Sequence, residues 1–224
     1  MDLYHVLNRG VDKRVIFYDS QDFVRFVHYL YECNNGAPIK NTFRVLSKDA
    51  GQMCDIGCRT LKRERIVDVH AWCLMKNHFH LILSPRIDGG ISKFMQKVMI
   101  GYVKYFNEKY KRSGTLFQGK TKKIPIESES HFYHILHYVH LNPLDYLDGA
   151  TDWREREIDD VDGALAHLKM YKWSSYLDYS GVKNFPSVIS REFFGEVFGD
   201  YNKEISRYLK SIARRATSDV THVI

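Results

Sequence analysis

No stretch of the chain approaches eighteen uninterrupted apolar residues, so no membrane-spanning helix is expected. Met1-Asp2-Leu3-Tyr4-His5 lacks the basic and apolar regions of a signal peptide, and the expected compartment is the cytoplasm. Cysteine is scarce as well. Of the four, Cys54 and Cys58 have the spacing of half a zinc site, but no second close Cys or His pair accompanies them, and Cys73 falls in a strand pattern. Reduced, non-ligating thiols are the expectation. No internal repeat is found.

What is present favours one globular domain with appendages: 224 residues, 44% of them hydrophobic, are enough to bury a full core. The formal charge is +6 and the pI near 9.0, with 15 Tyr and 13 Phe. Basicity favours polyanionic partners, and aromatic residues beside basic ones offer stacking platforms for unpaired bases. Many enzymes carry a similar charge, so composition alone does not establish nucleic-acid binding.

Along the chain, Tyr4 to Gly10 reads as a strand ending in a turn. Asp19-Ser20 caps a helix over Gln21 to Cys33, stopped by Asn34-Asn35-Gly36. From Ala37 to Arg65 a polar connection is expected to form a loop insertion, with a short element around Phe43 to Leu46. Ile66 to Met75 and His78 to Ser84 read as two strands joined by Lys76-Asn77, too close together for a parallel crossover and therefore antiparallel. A long amphipathic helix runs from Ile91 to about Tyr110, and a short strand covers Lys123 to Ile126. Glu127 to Ser130 supplies capping chemistry for a helix over His131 to Leu141, ended by Asn142-Pro143. The stretch from Leu144 to His167 is acidic and turn-rich, Lys172 to Tyr179 is a compact aromatic turn, and a final helical region covers Ser190 to Arg215 before a tail from Ala216.

Three stretches carry chemistry. His78 and His80 flank Phe79 in a strand of period two, so both imidazoles leave the same face, a few ångströms apart, with the spacing one metal ion needs. Strand histidines are also commonly satisfied core or surface groups, so the pair alone leaves both readings open. Lys111 to Lys123 interleaves glycines, basic residues and Phe117, a composition that can follow a phosphate backbone closely or form a solvated loop. His134, Tyr138 and Asn142 stand at i, i+4 and i+8 and share one stripe of a helix.

Taken together these residues resemble the single-tyrosine HUH transposases (His-hydrophobic-His), the domain of the insertion-sequence-200-like family, and within it the REP-associated tyrosine transposases. The resemblance rests on Tyr4-His5-Val6 with Asn8-Arg9-Gly10, Met75-Lys76-Asn77-His78-Phe79-His80-Leu81, Arg112-Ser113-Gly114-Thr115-Leu116-Phe117-Gln118-Gly119, Tyr138-Val139-His140-Leu141-Asn142-Pro143 and Trp173-Ser174-Ser175-Tyr176, in that order. It covers roughly residues 1–180, with 181–224 expected as a helical C-terminal extension. Lys76 stands where many relatives have proline, which removes a rigidifier of the turn without blocking metal binding.

The resemblance implies a ferredoxin-like α/β sandwich, with an antiparallel sheet carrying His78 and His80 and helices packed on it. It implies a divalent metal, magnesium or manganese, held by His78, His80 and Asn142, with Tyr138 as nucleophile attacking phosphorus to give a 5′-phosphotyrosine. A phenol of pKa near 10 needs such help at neutral pH, and a neighbouring cation stabilises both phenolate and phosphate charge. The implied substrate is single-stranded DNA with a hairpin or repeat, and relatives commonly act as homodimers. Arg112, Lys120, Lys122 and Lys123 are the candidates for phosphate contacts, with Asn8 and Arg9 on the same surface. His134 shares the tyrosine's stripe, where it could orient the phenol, contact DNA or simply pack; His137 and His140 fall on other faces and receive no catalytic role. A nucleic-acid-binding protein that keeps the fold without strand transfer, and a metal-dependent hydrolase using water, are the competing readings.

Overall fold

The computed structural model describes residues 2–36 and 64–213. The expected loop insertion, its short element around Phe43 to Leu46, and the tail from Ala216 lie outside the described residues. Six elements come in the order strand-helix-strand-strand-helix-strand: β1 (Tyr4–Arg9), α1 (Ser20–Glu32), β2 (Val67–Met75), β3 (His78–Pro85), α2 (Gly90–Lys109) and β4 (Lys122–Pro125). The strands form one sheet in the order β2-β3-β1-β4, and every pairing is antiparallel. This is the ferredoxin-like arrangement the motifs imply.

Alternation along the strands divides the sheet into two chemically different faces. Val6, Trp72, Leu74, Phe79, Leu81 and Leu83 face α1 and α2 and form the first core. A capping box fixes the start of α1: the Asp19 carboxylate accepts from the Asp22 backbone, and the Asp22 carboxylate from that of Asp19. Asp22, fully buried, also accepts from Tyr105 Oη at 2.8 Å, Tyr110 Oη at 2.7 Å and Lys109 Nζ at 2.7 Å. A buried carboxylate survives only when paired and hydrogen-bonded, and this set pins α1 to α2. The two helices approach so closely at Gly101 that a Cβ there would stand 2.8 Å from the Tyr29 ring.

The second face packs on α3 (Glu129–Leu141), begun by Ser128, whose hydroxyl accepts from the His131 N–H at 3.1 Å. Three-residue-per-turn helices follow at Asn142–Tyr146 and Thr151–Glu155, then α4 (Val161–Met170), the single turn α5 (Tyr176–Tyr179), α6 (Glu192–Phe198) and α7 (Tyr201–Ser211). Ala71, Cys73, Met75 and Ile82 of the sheet share a second core with Leu136 and Val139 of α3 and with Phe194, Ile205 and Leu209 of the last two helices. The last two helices thus build the same core as α3, while Phe185, Val188 and Ile189 before them join the first core.

Two segments differ from the pattern read in the sequence. The acidic stretch before His167 contains α4, which buries only Ala164 and Leu168 and so leaves a faint apolar stripe; its cap, the Asp160 carboxylate accepting from the Gly163 N–H at 3.0 Å, reads as a turn in sequence. The final helical region is broken in two at Gly199, whose φ of 58° no helix continues, and Asp200 caps the second piece. Among the described residues no helix is long and apolar enough to cross a membrane.

Candidate active site

The strand register assembles a histidine cluster on the α3 face. Leu7 and Cys73 flank His80, and Arg9 and Met75 flank His78, while Phe79 points into the opposite core, its ring 5.1 Å from Phe26. The His78 and His80 rings stand 5.0 Å apart and nearly perpendicular. His5, from β1, joins them: its ring stacks on His80 at 5.1 Å, and its Nε2 lies 2.9 Å from His80 Nδ1. His78 Nδ1 lies 2.6 Å from Asn77 Oδ1. An amide oxygen only accepts, so neutral His78 carries its proton on Nδ1 and leaves the Nε2 lone pair free. The His5 contact occupies His80 Nδ1, and in the tautomer in which His80 Nδ1 donates to His5 Nε2 the His80 Nε2 lone pair is free.

Burial is the main electrostatic fact about this cluster. Desolvation pushes the pKa of His5 and of His78 down to about 4, with the positive fields of His131 on the first and of Arg154 and Arg9 on the second adding to it, while Asp145 opposes the shift on His78. His80 is held well below the usual histidine value by desolvation, then by its two histidine neighbours and Arg154. All three are neutral at pH 7, the state in which imidazole ligates a metal.

Tyr138 sits in the last turn of α3 and brings its ring 5.6 Å from His80 and 5.7 Å from His5. Asn142 follows one turn later and is fully buried. Its Nδ2 donates to Tyr138 O at 2.7 Å and reaches Val139 O at 3.4 Å, the carbonyl that Pro143, having no N–H, cannot serve. Its Oδ1 accepts from Arg154 Nη2 at 2.9 Å. Arg154 is ion-paired with Asp145 and lies 4.3 Å over the Trp153 ring and 5.8 Å over the Tyr138 ring. Trp153 in turn donates its indole N–H to Asp145 at 2.9 Å.

Tyr138, His78 and His80 therefore meet within one chain, and Asn142 is tied to the backbone of Tyr138. His134 does not join them; its ring lies 6.0 Å from Tyr208 of α7. Among the described residues no group of three or more His, Cys, Asp or Glu is arranged to hold a metal. Two neutral imidazoles that can present free Nε2 atoms and one amide oxygen are nevertheless a donor set that suits a divalent cation keeping water or substrate oxygens.

The six phosphate-contact candidates distribute over both faces of the sheet. Arg9 and Lys122 lie on the histidine face, where Arg9 Nε donates to Gln118 Oε1 at 2.5 Å. Asn8 and Lys123 lie on the other: buried Asn8 turns its amide toward Gly119 O and Thr121 Oγ1, and Lys123 Nζ donates to Ser92 Oγ of α2 at 2.8 Å. Arg112 is held against Asn107 Oδ1 at 3.3 Å and over the Phe106 ring, fastening the end of α2. Lys120 and Lys123 line a groove of about 1120 Å³ with Lys93 and Lys104, floored by Met99 and Phe117.

Sequence reasoning assigned no role to His5, Arg154, Asp145 or Trp153. The alternation of His5 with Leu7 and Arg9 places it beside His80 only once β1 is known to pair with β3. Arg154 lies in a stretch whose charge pattern reads as solvated turns, and nothing in the pattern distinguishes it.

Comparison with protein families agrees with the resemblance. Residues 37–142 match the family described as "Transposase IS200 like", a span that holds His78, His80, Tyr138 and Asn142. No curated protein matches the chain. A solved structure of a REP-associated tyrosine transposase bound to a REP hairpin is similar at 12% identity and a TM-score of 0.48, over 84% of this chain and 85% of that one.

Proposed function

From a chain similar to the IS200-like transposases over residues 37–142, the span that holds its histidine pair and Tyr138, we propose a divalent-metal-dependent endonuclease and strand transferase acting on single-stranded DNA. The observation that supports this most is the Tyr138 ring standing 5.6 Å from His80 on the face that His78 shares. His78 and His80 would hold Mg²⁺ or Mn²⁺ through Nε2, with Asn142 Oδ1 as the third protein donor. When bound, the cation supplies Lewis-acid stabilisation of charge on the phosphate and the phenolate.

The chain's own residues do the rest. Tyr138 Oη attacks the scissile phosphorus; the O–P bond forms as the bond to the 3′-oxygen breaks, the phenol proton passes to water, and the 3′-oxygen leaves as a hydroxyl after taking a proton. The product is a 5′-phosphotyrosine that conserves the phosphodiester energy, so a 3′-hydroxyl can reverse the step and join new ends without ATP. Asn142 fixes the end of α3 through the Tyr138 carbonyl, and Arg154 adds a fixed positive charge beside the phenol. The lysines of the groove beside α2 give the substrate a basic surface whose affinity falls with salt. A hairpin or repeat is the proposed recognition element.

The test is to incubate the protein and Tyr138→Phe with labelled single-stranded hairpin DNA and manganese and resolve the products on a denaturing gel. A labelled covalent complex from the wild type alone is the expected result. Cleavage without an adduct, or undiminished cleavage by the variant, removes the tyrosine mechanism and leaves hydrolysis by water; binding without cleavage at a correct site leaves a non-catalytic DNA-binding protein.

A further inference from the structure

Resting on that functional reading, we propose that the helices after residue 190 fasten the helix bearing Tyr138 to its own sheet through His140, Ser175 and Tyr201, so that the nucleophile serves the histidine pair of the same chain. His140 stands two residues beyond Tyr138 and is completely buried. Both ring nitrogens are used: Nδ1 lies 2.9 Å from Tyr201 Oη of α7, and Nε2 lies 2.8 Å from Ser175 Oγ. Ser175 closes the path to the sheet, its hydroxyl accepting the Trp72 N–H at 3.0 Å and lying 3.2 Å from Trp72 O.

Two proton patterns satisfy every member, because the Ser175 N–H already serves Trp72 O at 2.9 Å. Where Ser175 gives its proton to Trp72 O, His140 Nε2 donates to Ser175 Oγ; where Ser175 gives it to His140 Nε2, His140 Nδ1 donates to Tyr201 Oη. In the first pattern His140 Nδ1 accepts from Tyr201 Oη and His137 Nδ1, 3.2 Å away, donates to the same phenol oxygen; in the second Tyr201 Oη donates to His137 Nδ1. In either pattern a chain of hydrogen bonds links α3 to α7, back to α3 and on to β2, fixing the register of the helix. Fully satisfied buried networks of this kind specify one arrangement, because each member becomes an orphan in any other.

Aromatic packing seals the same surface. His137 stacks on Tyr208 at 4.6 Å and on Tyr201 at 5.6 Å, and Phe132 stacks on Phe194 at 5.3 Å. The front of α3 thus presents Tyr138 to His80, and its back is bound by α6 and α7. Lending Tyr138 to a second subunit would strand His140, Ser175 and Tyr201 and open this core. His137 and His140, which chemistry at the phosphate does not use, act instead as positioning residues for the nucleophile.

Two measurements test this. The first co-expresses Tyr138→Phe with a larger, tagged His78→Ala/His80→Ala chain and assays the mixture for the DNA adduct, wild type alongside. A shared arrangement restores an adduct on the tagged chain, which overturns the proposal; no adduct on either chain, with wild type forming one, supports it. No adduct from wild type sinks the functional reading and the proposal with it, an outcome distinct from a restored adduct. The second is Tyr201→Phe, which deletes one oxygen from the middle of the chain of bonds. Its adduct rate at saturating DNA is expected to fall on the order of tenfold to a hundredfold, the scale of a displacement of about 1 Å at the reacting group, with the dissociation constant for DNA unchanged. A rate within twofold of wild type overturns the positioning role.

Discussion

His5 is the residue whose replacement separates support of the metal site from packing. Its Nε2 is the partner of His80 Nδ1 at 2.9 Å, and both side chains are nearly sealed from solvent, at 6% and 4% exposure. In His5→Phe an aromatic ring still stacks on His80, but His80 Nδ1 loses its partner in a dry site. Outer-shell partners of ligating histidines are typically worth about 10- to 100-fold in metal affinity or activity. An orphaned buried polar group costs roughly 1–3 kcal/mol, a similar range. Manganese affinity, measured by calorimetry on the DNA-free protein, is therefore expected to fall about 10- to 100-fold in His5→Phe, alongside a loss of roughly 1–3 kcal/mol of stability from the orphaned His80 nitrogen. His5→Gln, which keeps a hydrogen-bonding group, is expected to recover part of the loss. Unchanged manganese affinity in His5→Phe would refute the supporting role and reduce His5 to packing.

Three further outcomes follow from the packing and the buried charges. His5, His78 and His137 have pKa values held at about 4 by burial, below the ordinary 6.5, so the unfolded chain takes up protons before the folded one does; stability is fully present above about 6.5 and declines as the pH falls toward 4. Thermal midpoints recorded from pH 7.5 to 4.5 at constant ionic strength should drop steadily, and a flat profile would contradict neutral burial. Asp22→Asn removes the buried one of the two carboxylates that pair with Lys109, Asp19 being the other, and leaves one phenol, of Tyr105 or Tyr110, without its acceptor; it should cost roughly 3 kcal/mol in urea unfolding, where a loss under about 1 kcal/mol would argue that the cluster is dispensable. Gly101→Ala improves helix propensity yet drives a methyl to 2.8 Å from the Tyr29 ring, so a net loss of about 1–3 kcal/mol is expected, and a gain in stability would show that α1 and α2 are free to separate.

The strands and helices up to α3 were legible because each carries a local signal. Asp19 before a run of Phe and Leu at helical spacing, two-residue joining of β2 and β3 by Lys76-Asn77, and Asn142-Pro143 at the end of α3 are all short-range chemistry, and the structure places those boundaries within a residue or two. His78 and His80 share a face because strand alternation leaves no choice. The unread parts depend on distant pairing. His5 belongs to the cluster through the β1–β3 register, and Arg154 reaches Tyr138 and Asn142 through two turns of irregular helix whose course no periodicity encodes. The same applies to His137 and His140: their partners lie 64 and 61 residues away on α7, so sequence shows only that they face away from the tyrosine. The basic candidates failed to form one surface for a related reason, since neighbours such as Lys122 and Lys123 on β4 must leave opposite faces of the sheet.

The central claim is that Tyr138 becomes covalently joined to DNA beside the His78 and His80 pair. Protease digestion of the manganese-dependent complex, followed by mass spectrometry, tests it directly. The prediction is a nucleotide 5′-phosphate on the α3 peptide, localised to Tyr138 and absent when His78 and His80 are both replaced by alanine. A phosphorylated nucleotide on any other residue, or cleaved DNA with no modified peptide, would contradict it.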